Sequence, residues 1–458
     1  MGEEHMGEES KDKYGDYAIV GVPEKERRSA LAMFIEWTSV VTCVAAIWGG
    51  GSLGVGGDAA TVILAVIVGS IILAILGGLI ALMGGYTRMT TYSIMRYPFG
   101  RVGASVLGLV CSGIACMLWF AMQTWLAGVL VSSMLPGYWF TNIVVVTVWA
   151  GILMMITSLY GIAAIIILSY ILGPMFLLLT YFGAAAAFDA FGGLPALFAY
   201  KPATPVSIGS LITTVVGFYA AGSVIVSDIS RYGKKPTDGG KAWAAHILLF
   251  NTTLVLMGAF SIMLTGTENI AVAMLKIGMG YSALAFLFLT QIDTNDNNLW
   301  VSSLAWVNAV GGKLTRRHWT AIMGVIGTVW AALVAAGYGA SMQVLFDFGG
   351  YLGKLIPQMG AIMLADFFVF RPYMLGLKDP LKRYKFGPGT KYSVVNVAGV
   401  ISWIISSVLA FYAESLGTTP AVMGIVSGFV LYLIIAAVCH KAGLKFEVGE
   451  WTERPTGF

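Results

Sequence analysis

The sequence predicts an all-α polytopic membrane protein with twelve transmembrane helices, and three observations carry that prediction. Of the 458 residues, 58% are hydrophobic and only 11% are Asp, Glu, Lys or Arg, against about a quarter charged in soluble domains. Apolar stretches long enough to cross a bilayer, which takes about 20 residues, recur at 31–56, 60–84, 102–135, 142–160, 162–188, 207–228, 243–265, 278–304, 319–338, 341–368, 393–415 and 420–440. The basic residues fall between these stretches in an alternating pattern. Little chain is left over, which excludes a receptor with a large soluble head.

With the N-terminus in the cytoplasm, the inner connections carry Arg88, Arg96 and Arg101, then Arg231, Lys234, Lys235 and Lys241, then Lys313, Arg316 and Arg317, then Arg371, Lys378, Lys382, Arg383, Lys385 and Lys391. Of 27 basic residues, only Lys201, Lys276 and Lys354 fall elsewhere. This is the positive-inside pattern, and it makes 1–30 and 441–458 cytoplasmic tails in a cytoplasmic membrane. The first tail lacks the apolar core of a signal peptide. A net charge of +4 is too small to suggest a nucleic-acid partner. Cys43, Cys111, Cys116 and Cys439 show no CxxC spacing, so disulfides and a thiolate metal site are not expected.

Span 1 runs into Trp48-Gly49-Gly50-Gly51-Ser52-Leu53-Gly54-Val55-Gly56-Gly57, and span 6 contains Val216-Gly217-Phe218-Tyr219-Ala220-Ala221-Gly222-Ser223. A break at membrane depth frees backbone groups that cannot face lipid, so unwound backbone lines an enclosed cavity. Gly-interrupted spans at matching places in two halves point to a transporter's binding site. Both helices 1 and 6 are therefore expected to be broken. Each would open a five-span repeat, 31–188 and 207–368, and an odd span number inverts the second copy. Spans 11 and 12, 393–440, are then peripheral. The competing reading is that these glycines only let helices pack closely.

Span 8 carries the densest polar run, Thr290-Gln291-Ile292-Asp293-Thr294-Asn295-Asp296-Asn297-Asn298. An Asp at the centre of a lone membrane helix costs roughly 2.5–3.5 kcal/mol on insertion scales, so this face must look into a wet or ion-filled site. Its oxygens suit a hard cation such as Na⁺, and a carboxylate there could instead carry a proton. In span 3, Trp119 and Gln123 lie at i and i+4, on one helical face. A flat, hydrogen-bonding solute could stack on the indole and offer its edge to the amide. Lys354, in mid-span 10, is a candidate coupling group. Glu36 and Asp366 are expected at the membrane interface.

Four segments resemble one family. Asp293-Thr294-Asn295-Asp296-Asn297 is similar to its TTNDN motif. Ala45-Ala46-Ile47-Trp48-Gly49-Gly50-Gly51-Ser52-Leu53-Gly54, Ser227-Asp228-Ile229-Ser230-Arg231-Tyr232-Gly233 and Pro98-Phe99-Gly100 match it in order and spacing. The chain resembles the nucleobase:cation symporter-1 family, most closely its cytosine and purine-cytosine permease members. The resemblance implies a LeuT-like fold of 5+5 inverted repeats. It implies a substrate sandwiched between Trp119 and Tyr219, hydrogen-bonded by Gln123 and Asn295, and completed by backbone around Phe218 and Ala221. Cytosine permeases have a Gln one turn before the Trp, where this chain has Cys116. The family's sodium site falls on the carbonyls of Cys43 and Ala46 and on Asp293 and Thr294. Asp293 replaces a Thr or Ser, which leaves both Na⁺ and H⁺ open as coupling ion.

The expectation is a symporter importing a nucleobase or similar heterocycle, with no cofactor beyond the coupling ion. Its partners would be the solute and the lipid bilayer, and it would work as a monomer. An amino-acid or amine symporter of the same fold is the nearest rival. A channel is another, and a membrane-embedded enzyme is disfavoured because no HExxH or nucleophile motif appears and His5, His246, His318 and His440 fall in the tail or near span ends.

Overall fold

The computed structural model describes residues 22–443 apart from 161, 268–269, 277, 279, 311–313, 340, 342 and 385–391. All regular structure among the described residues is helical. Helices α1 (Ala30–Val41), α2 (Val44–Gly56) and α3 (Ala59–Thr87) lead into α4 (Thr91–Met134), which bends at Gly100. Then come α5 (Ile143–Tyr160), α6 (Ile162–Ala190), α7 (Gly193–Ala199), α8 (Ile208–Ile225), α9 (Ser227–Ser230) and α10 (Asp238–Thr265). The chain closes with α11 (Ile270–Lys276), α12 (Tyr281–Ala309), α13 (Arg316–Tyr338), α14 (Gln343–Leu355), α15 (Pro357–Leu364), α16 (Val397–Tyr412) and α17 (Pro420–Lys441). Seven helices among the described residues are long and apolar enough to cross a membrane, or eight if the bent pair Pro174–Ala190 and Gly193–Ala199 is one span. The outer surface fits lipid: Leu333 is 65% exposed and Ile75 59%.

The ends of the helices follow local chemistry. Ser29, Asp58, Thr90 and Ser207 each accept a backbone N–H of the first turn that follows them, supplying partners for donors that a helix start leaves open. At the other end of α3, Arg88 takes the left-handed conformation with φ 59°. Its guanidinium donates to the carbonyls of Arg231 and Gly233, fastening the α3–α4 turn to the segment after α9.

Two expectations about broken helices are corrected. Span 1 is interrupted at Thr42–Cys43, ahead of the glycine run, with Cys43 extended at φ −139° and ψ 159°. Residues Gly49 to Gly56 stay helical. Span 6 runs unbroken through its glycines as α8 and turns only at Val226. The glycines serve contact instead of unwinding. A Cβ at Gly50 would lie 1.9 Å from the Val255 carbonyl oxygen, and one at Gly217 would lie 1.7 Å from that of Gly349. Backbones thus touch where α2 crosses α10 and where α8 crosses α14, as small residues permit in membrane bundles.

These contacts set the core. α8 lies between α3 and α14, α2 rests on α10, α4 on α12, and α5 on α13, while α16 and α17 pack on each other and α17 on α15. Asp366 was expected at the interface and is instead buried. Its carboxylate accepts from Arg371 Nε, Tyr384 Oη and Tyr432 Oη, each at 2.7 Å. A buried carboxylate needs this many donors, and the network ties the end of span 10 to α17.

Candidate functional site

Interrupting span 1 brings its backbone to the wall of a cavity of about 280 Å³. α1 and α2 line it with Trp37, Cys43 and Ala46, α4 with Cys116, Trp119 and Gln123, α8 with Phe218, Tyr219 and Ala221, and α12 with Thr294, Asn297 and Asn298. Arg28, Glu36, Asp228 and Arg231 also line it, with the Arg28 and Glu36 side chains partly exposed. Arg28 pairs with Glu36 at 3.0 Å, and its backbone bonds to Tyr232 and Lys234.

Aromatic rings pack around Trp119 on the cavity wall. Trp119 meets the edge of Phe348 with centroids 4.9 Å apart and that of Phe218 at 6.4 Å. Further along α4, Trp125 Nε1 donates to the Gly339 carbonyl at 2.7 Å. Trp125 and Phe120 are wholly buried in packing, as their position on the helix suggested.

Six expected residues meet at this cavity from α4, α8 and α12: Trp119, Gln123, Phe218, Tyr219, Ala221 and Thr294. Cys43 and Ala46 join them from span 1. Gln123 is 3% exposed and its Oε1 has no partner among the described residues, leaving an acceptor available. Phe218, and not Tyr219, is the α8 ring in contact with Trp119. The Tyr219 ring packs instead against Trp243 at 5.5 Å and His246 at 5.6 Å.

Asn295 turns away from the cavity. Its Nδ2 donates to the Phe120 carbonyl at 3.0 Å and to Thr124 Oγ1 at 3.1 Å, while its Oδ1 accepts from Asn298 Nδ2 at 3.3 Å. Helical rotation places Asn298 and Asn297 on the cavity face instead. Asp296 also points outward from the site, accepting from Thr157 Oγ1 at 2.7 Å. The side chain of Asp293 lies outside the described residues. Lys354 does not line the cavity; its ammonium lies over the Phe411 ring at 5.6 Å, facing α16.

Thr294 Oγ1 is buried without a partner among the described residues, beside the interruption of span 1. A hydroxyl and main-chain oxygens are hard donors that fit an alkali cation and not a soft metal. No group of three or more His, Cys, Asp or Glu side chains that could hold a metal occurs among the described residues.

Asn251 was missed as a cavity-lining residue, and the burial of His246 was not foreseen. Asn251 lines the cavity, and His246, expected near a span end, is wholly buried behind Tyr219. Nothing in the local sequence marks either one.

A bundle of apolar helices around a cavity walled by Trp119, Phe218 and Tyr219 is the geometry of a carrier. A family model described as permease for cytosine/purines, uracil, thiamine, allantoin matches residues 21–434, and the chain belongs to this family, the nucleobase:cation symporter-1 permeases. It is 26% identical over 420 residues to the cytosine permease of Escherichia coli (strain K12), covering 92% of this chain and 94% of that one. It is 26% identical over 380 residues to the hydantoin permease of Microbacterium maritypicum, covering 77% and 72%. Its fold is similar to Mhp1, a nucleobase-cation-symport-1 family transporter, closed with bromovinylhydantoin bound (TM-score 0.75, 19% identity, 93% and 96% covered). A Na⁺-coupled sialic acid symporter shares the fold at TM-score 0.61 and 14% identity, with 94% of each chain covered. The chain is a multi-pass membrane transporter.

Proposed function

We propose that this chain is a cytoplasmic-membrane symporter importing a nucleobase or related heterocycle by alternating access. The observation that carries the reading is the juxtaposition of Trp119, Phe218 and the open Gln123 acceptor on the cavity wall. A planar ring of such a solute would stack on the Trp119 indole beside the Phe218 ring, and Gln123 with Asn298 would read its edge. Base–aromatic stacking contributes about 1–3 kcal/mol per base in nucleic-acid proteins, and edge hydrogen bonds supply discrimination.

The packing supports two inverted repeats, 31–188 and 207–368. Span 1 rests on span 7 and span 6 on span 2, which are equivalent contacts if spans 1 and 6 correspond. Both tails would be cytoplasmic, twelve spans would cross the membrane, and the single chain would suffice for transport. The partly exposed Arg28 and Glu36 side chains line the cavity, which fits a conformation open to the cytoplasm if the basic connections lie inside.

Carbonyls of Cys43 and Ala46 with Thr294 Oγ1 would hold Na⁺, and Asp293 would join as a ligand or carry a proton in its place. A cation bound between spans 1 and 8 couples to the solute only if both favour the same conformation. Radiolabelled cytosine uptake into proteoliposomes tests the reading, with uracil, hypoxanthine, hydantoin and amino acids as competitors under Na⁺ and then H⁺ gradients. Saturable uptake that nucleobases alone inhibit, and that Trp119→Ala abolishes without loss of protein from the membrane, is expected. Wild-type uptake by Trp119→Ala, or competition by amino acids alone, would sink it.

A further inference from the structure

The backbone of α10 beside the cavity departs from the α-helix, as the chain also does at Leu109–Ile114 and Ala365–Met374. Residues Ile247–Asn251 wind as a π-helix, and the Thr252 hydroxyl donates to the Ile247 carbonyl five residues back at 2.9 Å. Single π-turns inside α-helices are rare and concentrate at functional sites. Their i→i+5 register draws residues five apart toward one face, where an α-helix would set them well apart. His246 and Asn251 are such a pair.

Asn251 is 4% exposed and lines the cavity. His246 is wholly buried, and neither Nδ1 nor Nε2 has a partner there. Its ring lies 5.6 Å from that of Tyr219 and 6.4 Å from that of Trp37. Tyr219 Oη and Trp37 Nε1 are likewise buried and unpartnered, and both residues line the cavity. The three groups are complementary. An indole N–H donates, a neutral imidazole accepts at one nitrogen and donates from the other, and a phenol does both. Buried polar groups are almost always paired in some state of a protein.

We propose that α10 supplies a second hydrogen-bonding wall to the cavity. Asn251 reads the edge of the solute ring that Gln123 does not reach. His246 acts as a positioning residue, pairing with the Tyr219 hydroxyl when the ring is seated and so fixing the aromatic wall. The preferred solutes are planar rings with hydrogen-bonding groups on two edges, as in cyclic ureides and oxopyrimidines. The proposal rests on the heterocycle reading of the cavity.

The test uses the full chain in lipid nanodiscs and equilibrium binding of radiolabelled cytosine, uracil, hypoxanthine and hydantoin, competed by their N-methylated analogues. Asn251→Ala should weaken the best-bound ring about fivefold to tenfold, as expected for a lost neutral hydrogen bond. It should also erase discrimination against methylation at one ring position, while Gln123→Ala erases it at another. His246→Leu and Tyr219→Phe should each weaken binding, their double variant should be no weaker than either, and His246→Gln should restore binding. If Asn251→Ala does not fold, Asn251→Ser carries the same expectation. A wild type that binds a ring, with Asn251→Ala unchanged in affinity and methyl preference, overturns the second wall alone. Additive effects of His246→Leu and Tyr219→Phe overturn the positioning role. A wild type that binds none of the four rings removes the heterocycle reading and this proposal with it.

Discussion

Asn295 on α12 donates its amide to the Phe120 carbonyl on α4 at 3.0 Å, three residues before its neighbour Asn298 reaches the cavity. Two asparagines of one polar run are therefore placed differently: one fastens helices and the other faces the cavity.

Their substitutions should separate accordingly. Asn295→Ala leaves the α4–α12 contact without its bonds and should lower stability by about 1–3 kcal/mol, read as a fall in the thermal midpoint in detergent, with KM little changed. Asn298→Ala should raise KM about tenfold at nearly unchanged midpoint, the loss expected of an edge contact. A KM effect confined to Asn295→Ala would reverse the assignment.

The glycine contacts make a second prediction. Gly50→Ala places a methyl group against the Val255 carbonyl, which leaves no room. Overpacking of this kind costs about 1–3 kcal/mol or more. Gly54→Ala, whose added carbon meets its nearest neighbour at 3.4 Å, should be far milder. Thermal midpoints of the two proteins, measured side by side, check this. Equal midpoints would show that the backbone contact is soft.

Asp366 anchors three donors at once, so removing its charge strands Arg371 in the interior. Asp366→Asn should cost about 3–5 kcal/mol, whereas Tyr432→Phe, which removes one neutral donor, should cost about 1 kcal/mol. Yield of folded protein on size exclusion reports the ordering. Equal losses would mean that the ion pair is dispensable.

Asp58 gives a pH signature outside the membrane. Its hydrogen bonds from the Thr61 amide at the start of α3 hold its carboxyl below the ordinary carboxylate value. A depressed folded pKa means that its stabilisation is present above the unfolded value, about 4, and is lost as pH falls through the folded one. Wild type should exceed Asp58→Ala in thermal midpoint at neutral pH, and the gap should close in acid. A gap independent of pH would remove the charge from the explanation.

Much of this was legible from residue types and spacing. Trp119 and Gln123 share a face because they are four apart, and the structure brings both to the cavity. Hydropathy marked the stretches that hold the seven long apolar helices among the described residues. What escaped depends on rotation and on contacts between distant segments. One residue turns a helix by about 100°, so a dense polar run shows that a face is polar without showing which Asn faces inward. Glycine is ambiguous in the same way, because a breaker and a close contact look alike until the neighbour is known. The interruption at Thr42–Cys43 has no glycine at all. His246 reads as a span-end residue because the apolar stretch begins at 243, whereas the helix begins at Asp238.

Helices separated by side chains can slip, since rotamers absorb small displacements. Where Gly50 meets Val255 and Gly217 meets Gly349, no such cushion exists. Those crossings behave like dowelled joints: α2 should travel with α10 and α8 with α14, each pair as one lever. Motion that opens and closes the carrier must then be taken up at side-chain-lined seams, and a cross-link placed across a glycine joint should leave the turnover cycle running.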